Sequence, residues 1–385
     1  MGSELHRNLI LKHLGEASEL LNHFEEDEGN DSLDSLGELV SIKDKMSRSA
    51  SKNSESYVEE KLPSDLPDWE GFFEGNSKQA FENRNFKINY YYKLPKSNDN
   101  LSIPVFVFHH GAGSSALTFA NLAKEIYKRL DGICAVLAYD ARGHGRTKPI
   151  DNQKKIEFGL DDFVQDFVSL LDFFNQNFLK DIPQDKISII LVGHSLGGSI
   201  CTFSHPFFSP EVKNRIVGIT MLDIVEEAAI EALDNVQNFL NATPNVFGSY
   251  HEAIDWYVQN NLSRLRSSAD VSVPSLFTAT KSGKVVRISN LSNFKPYWNT
   301  WFTNLSHTFV SLPTCKLLIL AGNDNLDKEL IVGQMQGKYQ LVVFQDSGHF
   351  IQEDTPSKTA LTLIDFWKRN DNKNVSIKSN WSIQK

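Results

Sequence analysis

The segment VGHSLGG, residues 192 to 198, sets Ser195 between Gly193 and Gly197, directly after an apolar run ending in Leu191-Val192 and at the start of a helical pattern. A serine on a sharp strand-to-helix elbow is exposed in a strained turn, and flanking glycines leave room for the close backbone approach the turn demands. The backbone N–H of Leu196 then faces the same space as the serine hydroxyl. The chemistry this suits is nucleophilic attack on an acyl carbon. His109-His110-Gly111-Ala112-Gly113 follows a second apolar run, 103 to 108. A turn of this kind can aim the N–H of Ala112 at the developing oxyanion, beside that of Leu196. His109 and His110 read as residues that orient the loop by hydrogen bonding. SGH, 347 to 349, follows the run QLVVFQ and offers His349 as the base. Near neutral pH an imidazole can take the serine proton and later return it to a leaving alcohol.

The carboxylate that would orient this base has two candidates. Asp324, in LAGNDNLD, follows the run 316 to 321, and Asp223, in MLDIVEE, follows the run 216 to 222. Neighbouring parallel strands lie about 5 Å apart, so either could reach the second imidazole nitrogen. Spacing alone leans slightly toward Asp324 and leaves the other as a loop cap. In YDARGHGRT, 139 to 147, Asp140, Arg142 and His144 read as stabilisers of the loop beneath the site.

The elements that must carry these residues follow from the apolar pattern. Runs at 103 to 108, 133 to 139, 186 to 192, 216 to 222, 316 to 321 and 340 to 345 alternate with helical patterns at 117 to 130, 158 to 178, 196 to 204 and 355 to 369. Alternation of this kind is the signature of a parallel sheet covered by helices. Stretches near 79 to 83 and 85 to 92 predict a leading hairpin. More than ninety residues separate the runs at 216 to 222 and 316 to 321. A plain crossover is never so long, so a helical cap over about 225 to 300 is expected. The fold class is α/β: the α/β-hydrolase fold, with a mostly parallel central sheet flanked by helices and a cap insertion.

The chain has 385 residues, is 41% hydrophobic and carries a net charge of −9. An acidic chain without a basic stripe does not suit sequence-independent binding to nucleic acid. Three cysteines, Cys134, Cys201 and Cys315, make neither a disulfide framework nor a CxxC site. No apolar run approaches the ~18 residues of a membrane span, and MGSELHRNLI does not read as a secretory signal. A soluble intracellular protein, cytoplasmic or nuclear, is expected. Residues 1 to 65 hold 15 Asp and Glu against 7 Lys and Arg, and read as an acidic, largely disordered tail. Within it Ile10, Leu14, Ala17, Leu21 and Phe24 share one helical face. The catalytic domain is expected over 66 to 370, with a flexible C-terminal tail at 371 to 385.

Beyond these motifs, MLDIVEEAAIEAL (221 to 233), YWNTWFTNLS (297 to 306), LLILAGNDNLDKELIVGQMQGKYQ (317 to 340), QEDTP (352 to 356) and DWEGFFE (68 to 74) are together distinctive. They resemble the protein phosphatase methylesterases over roughly residues 66 to 369. The resemblance implies hydrolysis of the methyl ester on the C-terminal leucine of the type 2A protein phosphatase catalytic subunit. It puts the family's triad on Ser195, Asp223 and His349, reversing the preference from spacing. It also implies that Gln334, Met335, Gln336 and Lys338 lie near the phosphatase contact. Trp298 and Trp301, in or beside the cap with Trp256, are further candidates for that surface, although aromatics of this kind more often belong to a core. The chemistry calls for no metal or organic cofactor. HHGAG replaces the family's usual HGGG, and Asn325 stands where the family has arginine. A small-molecule carboxylesterase or thioesterase with the same triad is the alternative enzyme, and a stoichiometric phosphatase-binding protein the alternative of another class.

Overall fold

A computed structural model describes residues 62–322 and 325–374, and every element below belongs to the unit Asp65–Lys385. The helical face and linker read in the tail up to residue 61, the C-terminal residues from 375 onward, and Asp324 lie outside the described residues.

The chain opens with an antiparallel hairpin, β1 (Gly75–Phe81) and β2 (Phe86–Lys93). Strands β3 (Ile103–His109), β4 (Ala135–Tyr139), β5 (Lys148–Pro149), β6 (Ile187–His194) and β7 (Ile216–Leu222) follow. After the insertion come β11 (Cys315–Ala321) and β12 (Gln340–Phe344). The sheet order is β1-β2-β4-β3-β6-β7-β11-β12, with β5 on β2. From β4 to β12 all the pairings are parallel. The hairpin starts four residues before the expected stretch at 79, because its polar opening GNSK forms strand at the sheet edge without an apolar signal.

Apolar residues occupy β3 almost without alternation because both faces of the sheet are covered. Side-chain parity still divides them. Val105 and Val107 join one core with Phe163, Phe167 and Ile200, whereas Phe106 and Phe108 join the other with Phe119, Leu363 and Trp367. The first core is covered by α2 (Leu160–Phe178) and α3 (Leu196–Ser204). The second is covered by α1 (Ala120–Arg129) and α11 (Pro356–Asn370). Lys128 and Arg129 close α1, and Asp161 and Asp162 open α2, so each charge opposes the helix dipole. A short helix, α4 (Pro210–Lys213), leads into β7.

The insertion between β7 and β11 holds α5 (Glu226–Ala242), α6 (Tyr250–Gln259), α7 (Arg266–Ser272) and α8 (Leu305–Ser311). It is not wholly helical as expected. β8 (Val246–Phe247), β9 (Phe277–Ala279) and β10 (Val285–Arg287) form a small antiparallel sheet in the order β8-β10-β9. It packs with α6 and α7 around Phe247, Ile254, Tyr257, Ala269 and Phe277. Strands of two or three residues are too short to show a period of two in sequence. After β11 come α9 (Lys328–Met335) and, beyond β12, α10 (Ile351–Asp354).

The turn after β4 is tied down by an ion pair. Arg142 Nε and Nη2 donate to the two oxygens of Asp166 at 2.7 and 2.8 Å, and Arg84 Nε donates to the same carboxylate at 2.8 Å. Asp166 is buried. Asp166→Ala therefore leaves the two guanidinium groups with Asp162 as their remaining shared anion, and a loss of about 3 kcal/mol, the low end for breaking a buried pair, is expected. Urea unfolding monitored by tryptophan fluorescence measures it, and an unchanged midpoint would contradict the account.

Candidate active site

β6 ends in the elbow, and Ser195 sits there with φ 52° and ψ −122°, outside the ordinary regions for a side-chain-bearing residue. The turn is closed on both sides by backbone. A Cβ on Gly193 would stand 2.1 Å from the carbonyl oxygen of Gly197, and one on Gly197 would stand 2.1 Å from that of His109. Ser195 N–H donates to the carbonyl of Leu222 at 3.0 Å, which extends the β6–β7 ladder through the elbow. Leu196 is the first residue of α3, so its N–H has no partner within the helix.

Asp223 follows β7 with φ 50°. Its N–H donates to the carbonyl of Ile319 at 2.8 Å, and its Oδ1 accepts the N–H of Ala321 at 2.8 Å. Both bonds reach β11, so the carboxylate is oriented by the neighbouring strand. Its Oδ2 lies 2.7 Å from Nδ1 of His349. The structure thus brings Asp223 and His349 together. The imidazole is half-exposed and the carboxylate mostly buried.

His349 lies in the turn between β12 and α10, and that turn is held from below. Asp354 Oδ2 accepts the N–H of Gly348 at 2.7 Å, and its Oδ1 accepts the N–H of Arg264 at 2.8 Å. Glu353 is buried, and its carboxylate accepts from the hydroxyl of Thr118, while Ser268 Oγ donates to its carbonyl at 2.7 Å. Burial pushes the Glu353 carboxyl up to about 7, against hydrogen bonds that lower it. A carboxyl raised on folding contributes stability that is full below about 4.5 and is lost as pH rises through about 7. Glu353→Gln is expected to remove up to about 3 kcal/mol of this pH dependence between pH 5 and 8. Urea titrations of both proteins at the two pH values test it; parallel pH slopes would refute it. QEDTP carried Glu353 and Asp354 only as part of a family likeness, and their burial under the cap has no local signal.

Ala112 lies exposed in the loop after β3, and the surrounding histidines shape that loop. His110 Nδ1 donates to the carbonyl of Gly111 at 2.8 Å while its Nε2 accepts the N–H of Ala141 at 3.0 Å. His144 Nδ1 donates to the carbonyl of Arg142 at 2.9 Å, and its Nε2 accepts the N–H of Gly113 at 2.9 Å. Burial holds His109, His110 and His144 at about 3, so all three are neutral hydrogen-bonding parts. Asp140 accepts from the N–H groups of Ala116 and Arg146 and from the side chain of Asn89, tying the turn after β4 to the loop after β3.

The other residues singled out in the sequence lie apart from this cluster. Trp298 and Trp301 are 8% and 2% exposed. Trp301 packs on Phe163 and donates its Nε1 hydrogen to the carbonyl of Phe158 at 2.8 Å. Their place among the contact candidates is corrected: they take the other role such aromatics have and fill the core, where a large apolar ring gains most from leaving water. Gln334, Met335, Gln336 and Lys338 are exposed at the end of α9 and in the turn after it. Met335 is 84% exposed, with Ile331 and Val332 partly open on the same helix. Among the described residues there is no cluster of metal-ligating side chains, and no helix long and apolar enough to cross a membrane.

A family model of the alpha/beta hydrolase fold matches residues 104–356. The solved structure of E-2-(acetamidomethylene)succinate hydrolase superposes with a TM-score of 0.60 over 76% of this chain and 100% of that one, at 16% identity, a likeness of fold. The class is therefore α/β hydrolase. Protein phosphatase methylesterase 1 of Candida glabrata is 54% identical over 386 residues, covering 99% of this chain and 98% of the relative. That of Saccharomyces cerevisiae is 54% identical over 396 residues, covering 100% and 99%. The chain belongs to the protein phosphatase methylesterase family and is a carboxylic ester hydrolase.

Proposed function

We propose that this enzyme removes the methyl ester from the C-terminal leucine of the type 2A protein phosphatase catalytic subunit, with Ser195 as nucleophile, His349 as general base and Asp223 as the carboxylate that orients it. Two observations support the reading: the 2.7 Å contact of Asp223 Oδ2 with His349 Nδ1, and an elbow whose serine is strained to φ 52°. A carboxylate at Nδ1 keeps the hydrogen there and leaves the Nε2 lone pair free to accept the serine proton.

Ser195 Oγ attacks the ester carbonyl as its proton passes to His349 Nε2. The oxyanion that forms is met by the N–H groups of Ala112 and Leu196, and losing one such donor typically costs about 10²–10³ in rate. Collapse expels methoxide, which takes the proton from His349 and leaves as methanol. Water, deprotonated by His349, then attacks the acyl-enzyme, Ser195 departs with that proton, and the leucine carboxylic acid so formed gives its own proton to solvent and is released as the carboxylate.

A methyl group offers little to recognise, so selectivity has to come from the peptide and the folded phosphatase. Gln334, Met335, Gln336 and Lys338 are assigned to that contact, with Met335 as the exposed apolar member. The test is methanol release and antibody-detected demethylation on the methylated catalytic subunit, beside hydrolysis of a short aryl ester. Equimolar methanol and free carboxylate are expected. Cleavage of the aryl ester with an intact methylated subunit would replace the proposal by a small-molecule esterase.

A further inference from the structure

His194 directly precedes the nucleophile, and neither the sequence motifs nor the mechanism above gives it a task. Its side chain is buried, with Nε2 2.8 Å from the backbone carbonyl oxygen of His349. A carbonyl only accepts, so Nε2 carries the hydrogen and Nδ1 is left as a bare lone pair. Nδ1 is buried without a hydrogen-bond partner, and it lies against Gly111, where an added Cβ would stand 3.1 Å from it and 3.0 Å from Cβ of Ser195. The ring also lies 4.6 Å from that of His349 and 4.9 Å from that of Phe350, centre to centre. Burial, with His349 alongside, holds its basicity well below the ordinary histidine range. The ring therefore does not exchange protons with the site; it is a fixed donor.

We infer that His194 is a positioning residue: its Nε2–H, donated to the carbonyl of His349, ties the loop that carries the base to the elbow that carries the nucleophile. β6 and β12 are not neighbours in the sheet; β7 and β11 stand between them. No ladder hydrogen bond can therefore set the spacing between the two loops. Asp223 locates the imidazole from the side of Nδ1, and Asp354 holds the N–H of Gly348. The bond from His194 anchors the base's own main chain to the residue next to Ser195. Misplacing reacting groups by about 1 Å can cost about 10²-fold in rate. The inference rests on the reading of Ser195 and His349 as nucleophile and base.

The test compares His194→Met, which fills the site without a donor, with His194→Gln, whose amide nitrogen reaches about as far as ring Nε2. The readouts are the rate of Ser195 labelling by a fluorophosphonate, kcat and KM for an aryl ester, and the melting temperature. For the methionine variant, labelling and kcat are expected to fall about 10- to 100-fold, with KM changed less than about twofold and folding retained. The glutamine variant is expected to recover about tenfold of that loss, the gain following return of the hydrogen bond. Wild-type labelling and kcat in a folded methionine variant would overturn the inference. So would a glutamine variant as slow as the methionine one despite an unchanged melting temperature. A wild type that is not labelled at Ser195 would overturn the underlying reading instead, which separates the two failures.

Discussion

Ser195→Ala is expected to lower methanol release from the methylated phosphatase subunit by at least about 10⁴-fold while leaving the protein folded and able to bind the phosphatase. The size follows from the covalent route: without Oγ there is no acyl-enzyme, and what remains is binding and the oxyanion donors, typically worth about 10³–10⁴ over water. Folding should be spared because Ser195 holds its place through backbone, its N–H bonded to the carbonyl of Leu222 and its carbonyl accepting from Gly198. Alanine also keeps a Cβ at the strained φ of 52°, so no new steric demand is made. Mass-spectrometric loss of fluorophosphonate labelling should accompany the loss of turnover. Demethylation at the wild-type rate by this variant would remove Ser195 from the mechanism outright.

Asp223→Asn should be nearly as damaging, on the order of 10⁴-fold in kcat, by a different route. The Oδ1 side of the carboxylate is committed to the N–H of Ala321, an arrangement only an acceptor can satisfy. The asparagine oxygen is thus steered to Ala321 and its NH₂ toward His349. Facing a donor, Nδ1 of His349 must become the acceptor, which moves the imidazole hydrogen to Nε2 and blocks the lone pair that would take the serine proton. Wild-type stability with collapsed kcat is the expected pair of results, read from thermal melting and aryl-ester turnover. A loss below about tenfold would mean that another carboxylate orients the base.

The sheet was legible because parallel strands buried on two faces are long apolar runs, and β3, β6, β7 and β11 each fall within a residue or two of the runs read for them. The strand-to-helix elbow around Ser195 was legible too, since two glycines whose Cβ atoms would stand 2.1 Å from backbone leave little freedom of sequence. The small sheet in the insertion was not, because its strands are too short to show a pattern and pack on partners far along the chain. His194 was read as part of a motif without a task, because its bond crosses 155 positions.

From sequence alone came the fold class, the family and the candidates Ser195 and His349, because strand, elbow and post-strand turn are written in contiguous residues. Spacing by itself did not decide between Asp223 and Asp324; the family likeness pointed to Asp223. The meeting of Asp223 with His349 at 2.7 Å is a fact of tertiary structure. It depends on β11 lying beside β7, on the Ala321 N–H that turns the carboxylate, and on the loop brought back from β12. Reach along a chain is local information, whereas the direction in which a side chain points is set by neighbours that the chain supplies only after it has folded.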